Sequence, residues 1–282
     1  MNKTVLITGG TRGVGKEIAK MFINRDYNVI ITGRNKKAIL KTTEELNNIN
    51  YSNKLVKGYK LDYTDIVNSK ELFNKLESKE IRPDFLINNA GTLHLENIDK
   101  INQKTLDIMF KVNVIGPLLL TKYCVDIIKK DTNHYSGILF NTPDYKIDDK
   151  TIYLLPYMQS KLAQTTLMKS IANLNNNNNA IVCGFWTNYP LLTDAILNKN
   201  IAKKDNCMHP NIVAKTLEEL IFNTPNPTQY NSKVIIDKDF LLKKKVDINK
   251  YKIGDNIKNL DDLFLNHLSK INNITIKKNI LK

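Results

Sequence analysis

Short runs rich in β-branched and aromatic residues alternate with longer amphipathic stretches along this chain of 282 residues. Strands that alternate with helices form a parallel sheet covered by helices on both faces. The pattern therefore predicts an α/β fold, a doubly wound, seven-stranded parallel sheet in a single domain. The runs typical of strands span 4–8, 28–32, 54–61, 85–88, 137–141, 180–185 and 233–237. The stretches typical of helices span 15–25, 36–47, 68–78, 103–129, 156–174 and 210–222.

Composition limits the domain organisation and the class of partner. We expect residues 1–242 to form the domain and residues 243–282 to form a basic extension that packs on it, with a last helix at 260–268. The net charge of +14 comes from basic residues scattered along the chain, without the aromatic interleaving of single-strand binders. We therefore expect no nucleic acid partner and an anionic small ligand. The least favoured alternative is contact of Lys243-Lys244-Lys245 with RNA or a membrane surface.

The cysteines and the apolar runs indicate the cellular environment. Cys124, Cys183 and Cys207 are far apart and have no histidine cluster near them, so we expect neither a metal site nor a disulfide. No apolar run approaches the ~20 residues that cross a bilayer. Because a strand begins almost at once, we also expect no signal peptide and a soluble, intracellular, cytoplasmic protein.

A glycine-rich turn lies between the first predicted strand and the first predicted helix. Gly9 permits a tight turn, Gly13 leaves room for a pyrophosphate, and Gly15 lets the helix pack close to the sheet. Backbone N–H groups at the start of the helix then face the anion. This placement predicts a dinucleotide-binding site, formed by Thr8, Gly9, Thr11, Arg12, Gly13, Val14 and Gly15.

The ends of the next strands indicate which dinucleotide binds. The second strand ends in Thr32-Gly33-Arg34 without a carboxylate for a ribose 2′-hydroxyl. Arg34 and Arg12 can instead form a fork around a 2′-phosphate, which favours NADP(H) over NAD(H). The alternative is that Arg34 is a solvated loop charge.

Two further strand ends suit the adenosine half of the cofactor. Asp62 follows the third strand and can approach the adenine amino group, although it can equally cap the next helix. Asn88-Asn89-Ala90-Gly91 follows the fourth strand, and its small residues leave room for the adenosine. We therefore expect Asp62, Asn89, Ala90 and Gly91 to contact the cofactor.

Tyr157 and Lys161 lie four residues apart in a predicted helix and share one face of it. A tyrosine of pKa ~10 is a poor acid or base at neutral pH until a cation stabilises its phenolate. Lys161 supplies that cation, which predicts a proton-transfer site.

Together with Asn113 in Phe110-Lys-Val-Asn-Val-Ile-Gly116, these motifs resemble the short-chain dehydrogenase/reductase family over nearly the whole chain. The resemblance implies a Rossmann fold, a homodimer or homotetramer, and Tyr157 as proton donor or acceptor. It also implies that Lys161 holds the nicotinamide ribose and lowers the pKa of the tyrosine, while Asn113 positions a water. Without the resemblance, Asn113 is an ordinary polar helix residue.

The serine that usually completes this family's active site is missing. Its place, thirteen residues before Tyr157, is taken by Asp144. An aspartate donates a hydrogen bond only when protonated, whereas a threonine hydroxyl donates without a pKa shift. We therefore expect Thr142 to replace the serine, with Asp144 as the open alternative.

Several later segments resemble the hydroxysteroid dehydrogenase-like branch of the family, without its lipid-transfer domain. They are Asn141-Thr-Pro143, Trp186-Thr187, Val234 to Leu241 and Leu260 to Leu265. Thr193 matches the threonine that the family uses near the nicotinamide carboxamide. Trp186 is either a wall of the substrate site or a packed core aromatic.

The sequence thus leads to two hypotheses about function. The first is an NADP(H)-dependent oxidoreductase that moves a hydride between nicotinamide and a small, hydrophobic carbonyl or secondary alcohol substrate. The second is an NADP(H)-binding regulatory module or pseudoenzyme with little turnover, because the usual serine is absent.

Overall fold

The computed structural model describes residues 3–51, 53–95, 100–130, 134–144, 156–260 and 262–263. This part of the chain forms one parallel sheet with the strand order β3-β2-β1-β4-β5-β6-β7, in which every pair is parallel. The order reverses direction between β1 and β4, where a crevice opens at the carboxyl ends of the strands. The predicted seven-stranded, doubly wound sheet is confirmed. The strands are β1 Thr4–Ile7, β2 Asn28–Gly33, β3 Val56–Lys60, β4 Phe85–Asn88, β5 Ser136–Asn141, β6 Ala180–Trp186 and β7 Val234–Ile236.

Helices cover both faces of the sheet because successive strand residues point to opposite sides. Val5 and Ile7 belong to a hydrophobic cluster that packs on one face, and Leu6 belongs to a second cluster on the other. The helices are α1 Gly13–Ile23, α2 Lys36–Asn48, α3 Ile66–Glu77, α4 Gln103–Phe110, α5 Gly116–Tyr123, α6 Asp126–Lys129, α7 Tyr157–Asn173, α8 Asp194–Leu197, α9 Asn211–Ile221 and α10 Asp237–Lys243.

The single helix predicted at 103–129 is interrupted in the structure. A π-helical turn, Lys111–Ile115, separates α4 from α5, and the backbone N–H of Gly116 donates to the carbonyl of Lys111. Pro117 explains the interruption because it has no N–H to donate to the carbonyl four residues earlier, and its ring crowds that carbonyl. The turn places Asn113 in the protein interior, where it is fully buried.

The segment after α10 packs beside the loop that follows β6. The backbone N–H of Ile253 donates to the carbonyl of Cys207 at 3.1 Å. Leu260 and Leu263 are buried in a third hydrophobic cluster. Most of the last helix predicted at 260–268 lies outside the described residues. Within the described residues, no helix is long and apolar enough to cross a membrane.

Candidate cofactor and active site

The glycine turn after β1 leaves no room for side chains. Gly9 has a φ of +65°, and a Cβ on Gly15 would lie 2.4 Å from the carbonyl oxygen of Gly9. Gly13 has a φ of +52° and begins α1, and a Cβ on it would lie 3.1 Å from Cγ2 of Thr193. The turn therefore presents bare backbone at the N-terminus of a helix, an arrangement that suits a phosphate.

Thr8 fixes this turn to the end of β4. Its hydroxyl oxygen accepts hydrogen bonds from the backbone N–H groups of Asn89 at 3.0 Å and Ala90 at 2.9 Å. The side-chain amide of Asn89 donates back to the carbonyl of Thr8 at 3.0 Å. Because Thr8 is buried, it braces the site from behind, and its own contact with the cofactor stays a prediction.

A cavity of about 380 Å³ opens at the carboxyl ends of the strands, beside the glycine turn. The predicted cofactor residues that line it are Gly9, Thr11, Arg12, Gly13, Val14, Gly15, Arg34, Asn89, Ala90, Gly91 and Thr193. Sequence reasoning missed other lining residues, among them Leu61, Tyr63, Thr92, Val112, Asn141 and Asp194. The bare glycine turn and this size suit a dinucleotide, since ligand pockets are typically ~300–1,000 Å³.

The two arginines expected to hold a 2′-phosphate both line this cavity. In the structure they do not form the expected fork, because Arg12 pairs with another residue. Nη1 of Arg12 forms an ion pair with Oδ2 of Asp194 at 2.6 Å, and both side chains are more than half exposed. Arg34 lies exposed directly after β2. Exposed ion pairs are weak, so Arg12 can exchange Asp194 for a phosphate at little cost.

Asp62 does not take the position expected from the sequence. Its Oδ1 accepts hydrogen bonds from the backbone N–H of Thr64 at 3.0 Å and from the Thr64 hydroxyl at 2.7 Å. Among the described residues, Leu61 and Tyr63 line the cavity and Asp62 does not. The carboxylate caps the turn before α3, as Asp commonly does, which is the alternative that the sequence left open, and the adenine contact stays a prediction.

Asn113 joins three parts of the site. Its Oδ1 accepts from the backbone N–H of Thr92 at 2.9 Å, and its Nδ2 donates to the carbonyl of Thr92 at 3.0 Å. Nδ2 also donates to the hydroxyl of Ser160 on α7 at 2.9 Å. The side chain therefore ties the cavity wall after β4 to the helix that carries Tyr157 and Lys161.

Lys161 extends from α7 to the end of β5. Its Nζ donates to the carbonyl of Asn141 at 2.6 Å and to Oε1 of Gln164 at 3.1 Å. The side chain is only 3% exposed. Burial penalises the ammonium form and lowers the pKa of Lys161 to about 7. Gln164 was not singled out in the sequence, although a polar residue three positions after Lys161 on the same helical face was a usable signal.

Tyr157 begins α7 and lies in the third hydrophobic cluster, with Leu95, Met109 and Met158. Burial raises its pKa above the usual value, and no charged group acts against that effect in this structure. The lowering of the tyrosine pKa by Lys161, which the family resemblance implies, therefore stays a prediction. An apolar wall around Tyr157 suits a hydrophobic substrate.

Thr142, the expected substitute for the serine, is buried against α7. Its hydroxyl donates to the carbonyl of Lys161 at 2.9 Å and lies 2.7 Å from the hydroxyl of Thr165. Thr165 in turn donates to the carbonyls of Pro143 at 2.9 Å and Lys161 at 3.1 Å. Each hydroxyl has one proton, and either of the two can be the donor in the contact between them. The Thr142 hydroxyl is thus bonded within the protein, Asp144 lies half-buried at the end of this segment, and the substitute for the serine stays a prediction.

Comparison with known proteins relates both fold and motifs to one family. The chain matches the family model described as "short chain dehydrogenase" over residues 3–201. It is 34% identical over 134 residues to a short chain dehydrogenase/reductase of Gibberella zeae, an alignment that covers 46% of this chain and 48% of that protein. A polyprenol dehydrogenase of Danio rerio is 24% identical over 245 residues, with 79% and 70% covered.

Solved structures share the fold over most of the chain. A short chain dehydrogenase from Mycobacterium thermoresistibile superposes with a TM-score of 0.79 at 21% identity, covering 91% of this chain and 93% of that one. The actinorhodin polyketide ketoreductase solved with NADPH gives a TM-score of 0.70 at 16% identity, with 83% and 95% covered. By sequence, however, the chain spans only about half the length of the first two curated relatives.

Proposed function

Because the chain belongs to the short-chain dehydrogenase family, we propose that it is an NADP(H)-dependent oxidoreductase acting on a carbonyl or secondary alcohol. One observation carries the proposal. Gly91 lines the cofactor cavity, and a Cβ on it would lie 3.5 Å from Oδ1 of Asn113 and 3.6 Å from Nζ of Lys161. The cavity that fits the dinucleotide thus adjoins two of the residues expected to act in proton transfer.

The residues present fit the cofactor in their chemistry. The bare backbone at Gly9, Gly13 and Gly15 accommodates the pyrophosphate, and Arg34 with Arg12 provides positive charge for a 2′-phosphate. When bound, the nicotinamide supplies the hydride acceptor or donor. The Lys161 ammonium would bind the ribose hydroxyls, and this contact would hold the cofactor near Tyr157.

The proton moves at the phenolic oxygen of Tyr157, which donates to the substrate oxygen during reduction and accepts from it during oxidation. Lys161 stabilises the phenolate that reduction leaves behind, while Asn113 holds the backbone of Thr92 and α7 in register. Asp144 polarises the substrate oxygen if it carries a proton. The usual serine is absent, so we expect slow turnover.

The substrate class and assembly are part of the same proposal. The apolar cluster around Tyr157 supports a small hydrophobic substrate, and the relatives include a protein named polyprenol dehydrogenase and one named diacetyl reductase. Ile115 and Leu118 are exposed on the π-helical turn and α5, and these apolar side chains support the proposed homodimer or homotetramer. The hydroxysteroid dehydrogenase-like branch stays a prediction.

The function is tested by following the transferred hydrogen itself. NADPH carrying deuterium at nicotinamide C4 is incubated with wild-type protein and a panel of hydrophobic ketones and aldehydes. We expect deuterium at the carbinol carbon of at least one product alcohol, detected by mass spectrometry. NADPH binding without label transfer to any member of a broad panel would contradict the proposal.

Cofactor choice is tested at Arg34. We expect Arg34→Ala to weaken NADPH binding by about 10-fold and leave NADH binding unchanged, because only NADPH carries the 2′-phosphate that a charge-assisted hydrogen bond stabilises. Titration of each nucleotide by fluorescence measures both dissociation constants. Arg82→Ala is the matched control: Arg82 is also exposed but precedes β4, at the amino edge of the sheet. Equal losses for NADPH and NADH would overturn the preference.

A second candidate function is a cofactor-binding module with little turnover. The observation that favours it is the burial of the Thr142 hydroxyl against α7, where it is bonded within the protein. Such a module would bind NADPH through the same arginines yet transfer no deuterium. The labelling experiment therefore separates the two functions.

A further inference from the structure

The ammonium of Lys161 is surrounded by neutral groups. Besides the carbonyl of Asn141 and the side-chain oxygen of Gln164, the Trp186 ring lies near it, with its centre 5.6 Å from Nζ. A cation over an indole face is stabilised by the ring's electron density. Three uncharged contacts thus orient one buried charge, and each of them comes from a different element: β5, α7 and β6.

Gln164 is an unusual residue to bury at this point. It is 0% exposed, its Oε1 accepts from Lys161, and its Nε2 has no hydrogen-bond partner among the described residues. Burying an unpaired amide N–H is unfavourable, and methionine would fill a similar volume without that cost. The amide therefore supplies something that packing does not require, namely an acceptor for the lysine.

We propose that Gln164 is a positioning residue whose amide oxygen holds the Lys161 ammonium between the Asn141 carbonyl and the Trp186 ring. This proposal rests on the proposed function for the part that Lys161 plays in the reaction. The held position lies next to the cavity wall, since a Cβ on Gly91 would be 3.6 Å from Nζ. A long lysine side chain otherwise has many rotamers, and an acceptor one helical turn away removes most of that freedom.

That residue 164 carries an amide and not a carboxylate also affects the pKa of Lys161. A carboxylate at this distance would form a buried ion pair and raise the pKa of Lys161 strongly. The neutral amide orients the ammonium while burial keeps its pKa at about 7. A lysine with this pKa can lose and regain a proton near neutral pH.

Few other titratable groups lie on α7 or on the elements packed against it. The buried ones are uncharged, and the charged ones reach solvent. The elements packed against α7 are β5, β6, α4 and the π-helical turn. Cys183 on β6 is uncharged because burial raises its pKa to about 12, and Tyr157 on α7 is neutral for the same reason. Of the charged residues on these elements, Lys104, Asp107 and Lys111 are exposed, and Lys169 is half-buried. Gln164 is therefore the position at which a substitution acts on Lys161 most directly.

The test measures the titration of Lys161 directly. Protein labelled with carbon-13 at lysine Cε is titrated by NMR, and Lys161→Arg identifies the signal. We expect Gln164→Glu to raise the pKa of Lys161 by about 1–3 units, because it places a negative charge beside the ammonium. We expect Gln164→Met to lower the pKa by about one unit, because it removes a hydrogen bond to the charged form.

Gln159→Glu is the matched control, since it makes the same change on the exposed side of α7. Solvent screens that charge, so we expect a shift of less than about half a unit. NADPH titration at pH 7 provides a second readout: Gln164→Met should weaken binding several-fold, and Gln159→Glu should not.

The outcomes separate this proposal from the proposed function. A folded Gln164→Met variant whose lysine titrates as in the wild type would overturn the positioning role, as would equal shifts in the Gln164→Glu and Gln159→Glu variants. If Gln164→Glu fails to fold, the methionine variant decides. Expected shifts without deuterium transfer from NADPH to any carbonyl would support the positioning role and reject the oxidoreductase.

Discussion

Tyr157→Phe is expected to reduce turnover by about 10³-fold while NADPH still binds, because a general acid or base contributes about 10²–10⁴-fold to the rate. The phenol lies in a cluster of apolar side chains at the first turn of α7. Phenylalanine keeps that packing and removes the one atom that moves the proton. Single-turnover oxidation of NADPH, recorded by stopped-flow absorbance, measures the loss in the chemical step.

Thr142→Val is the control for this experiment, since it also removes a buried hydroxyl beside α7. We expect it to cost about 1 kcal/mol of stability, because a hydrogen bond to the carbonyl of Lys161 is lost. Turnover should stay within about threefold of the wild type, because that hydroxyl is bonded within the protein. If Thr142→Val loses activity as Tyr157→Phe does, then the hydroxyl takes part in the reaction and Thr142 is the substitute for the serine.

Lys161→Met is expected to change activity and stability in opposite directions. Turnover should fall by about 10²-fold or more, because the charge that stabilises the phenolate is removed. The shift of the Lys161 pKa from 10.5 to about 7 corresponds to roughly 5 kcal/mol of unfavourable burial. Two acceptors left unpaired, on Asn141 and Gln164, offset part of this, so we expect a net gain of about 2 kcal/mol at pH 6.

The direction in which the stability gain of Lys161→Met changes with pH follows from proton binding. Between pH of about 7 and 10.5 the unfolded chain holds the Lys161 proton and the folded protein does not, so wild-type stability from this group rises with pH. The free-energy penalty for burying the Lys161 ammonium is complete below pH 7 and disappears near pH 10.5. Denaturant unfolding of both proteins at pH 6, 8 and 10 should therefore show the advantage of Lys161→Met shrinking as pH rises. An advantage that grows with pH would contradict the assignment.

The fold was predictable because its signals are local and repeat along the chain. Alternation of strands and helices determined the sheet, and the position of the glycine turn between β1 and α1 located the cofactor end. The π-helical turn was missed, although Gly116-Pro117 inside a predicted helix was its signal. A periodicity argument averages over many residues and so passes over one missing N–H group.

The contacts within the site depend on residues that are distant in the sequence. Arg12 pairs with Asp194, 182 residues later, and no motif indicates that partner. Thr142 was expected to face the substrate because threonine has the right chemistry. Its orientation is set instead by the carbonyl of Lys161 and the hydroxyl of Thr165, which only the packing of α7 on the sheet brings near.

The π-helical turn at Lys111–Ile115 makes the number of residues in this segment as important as their identity. Such a turn accommodates one residue more than a regular helical turn, and one residue corresponds to about 100° of rotation. Deleting a single residue here would turn the Asn113 amide away from Thr92 and Ser160 even if every remaining side chain were unchanged. Sequence alignments of relatives that keep this asparagine should therefore contain no gaps across the turn.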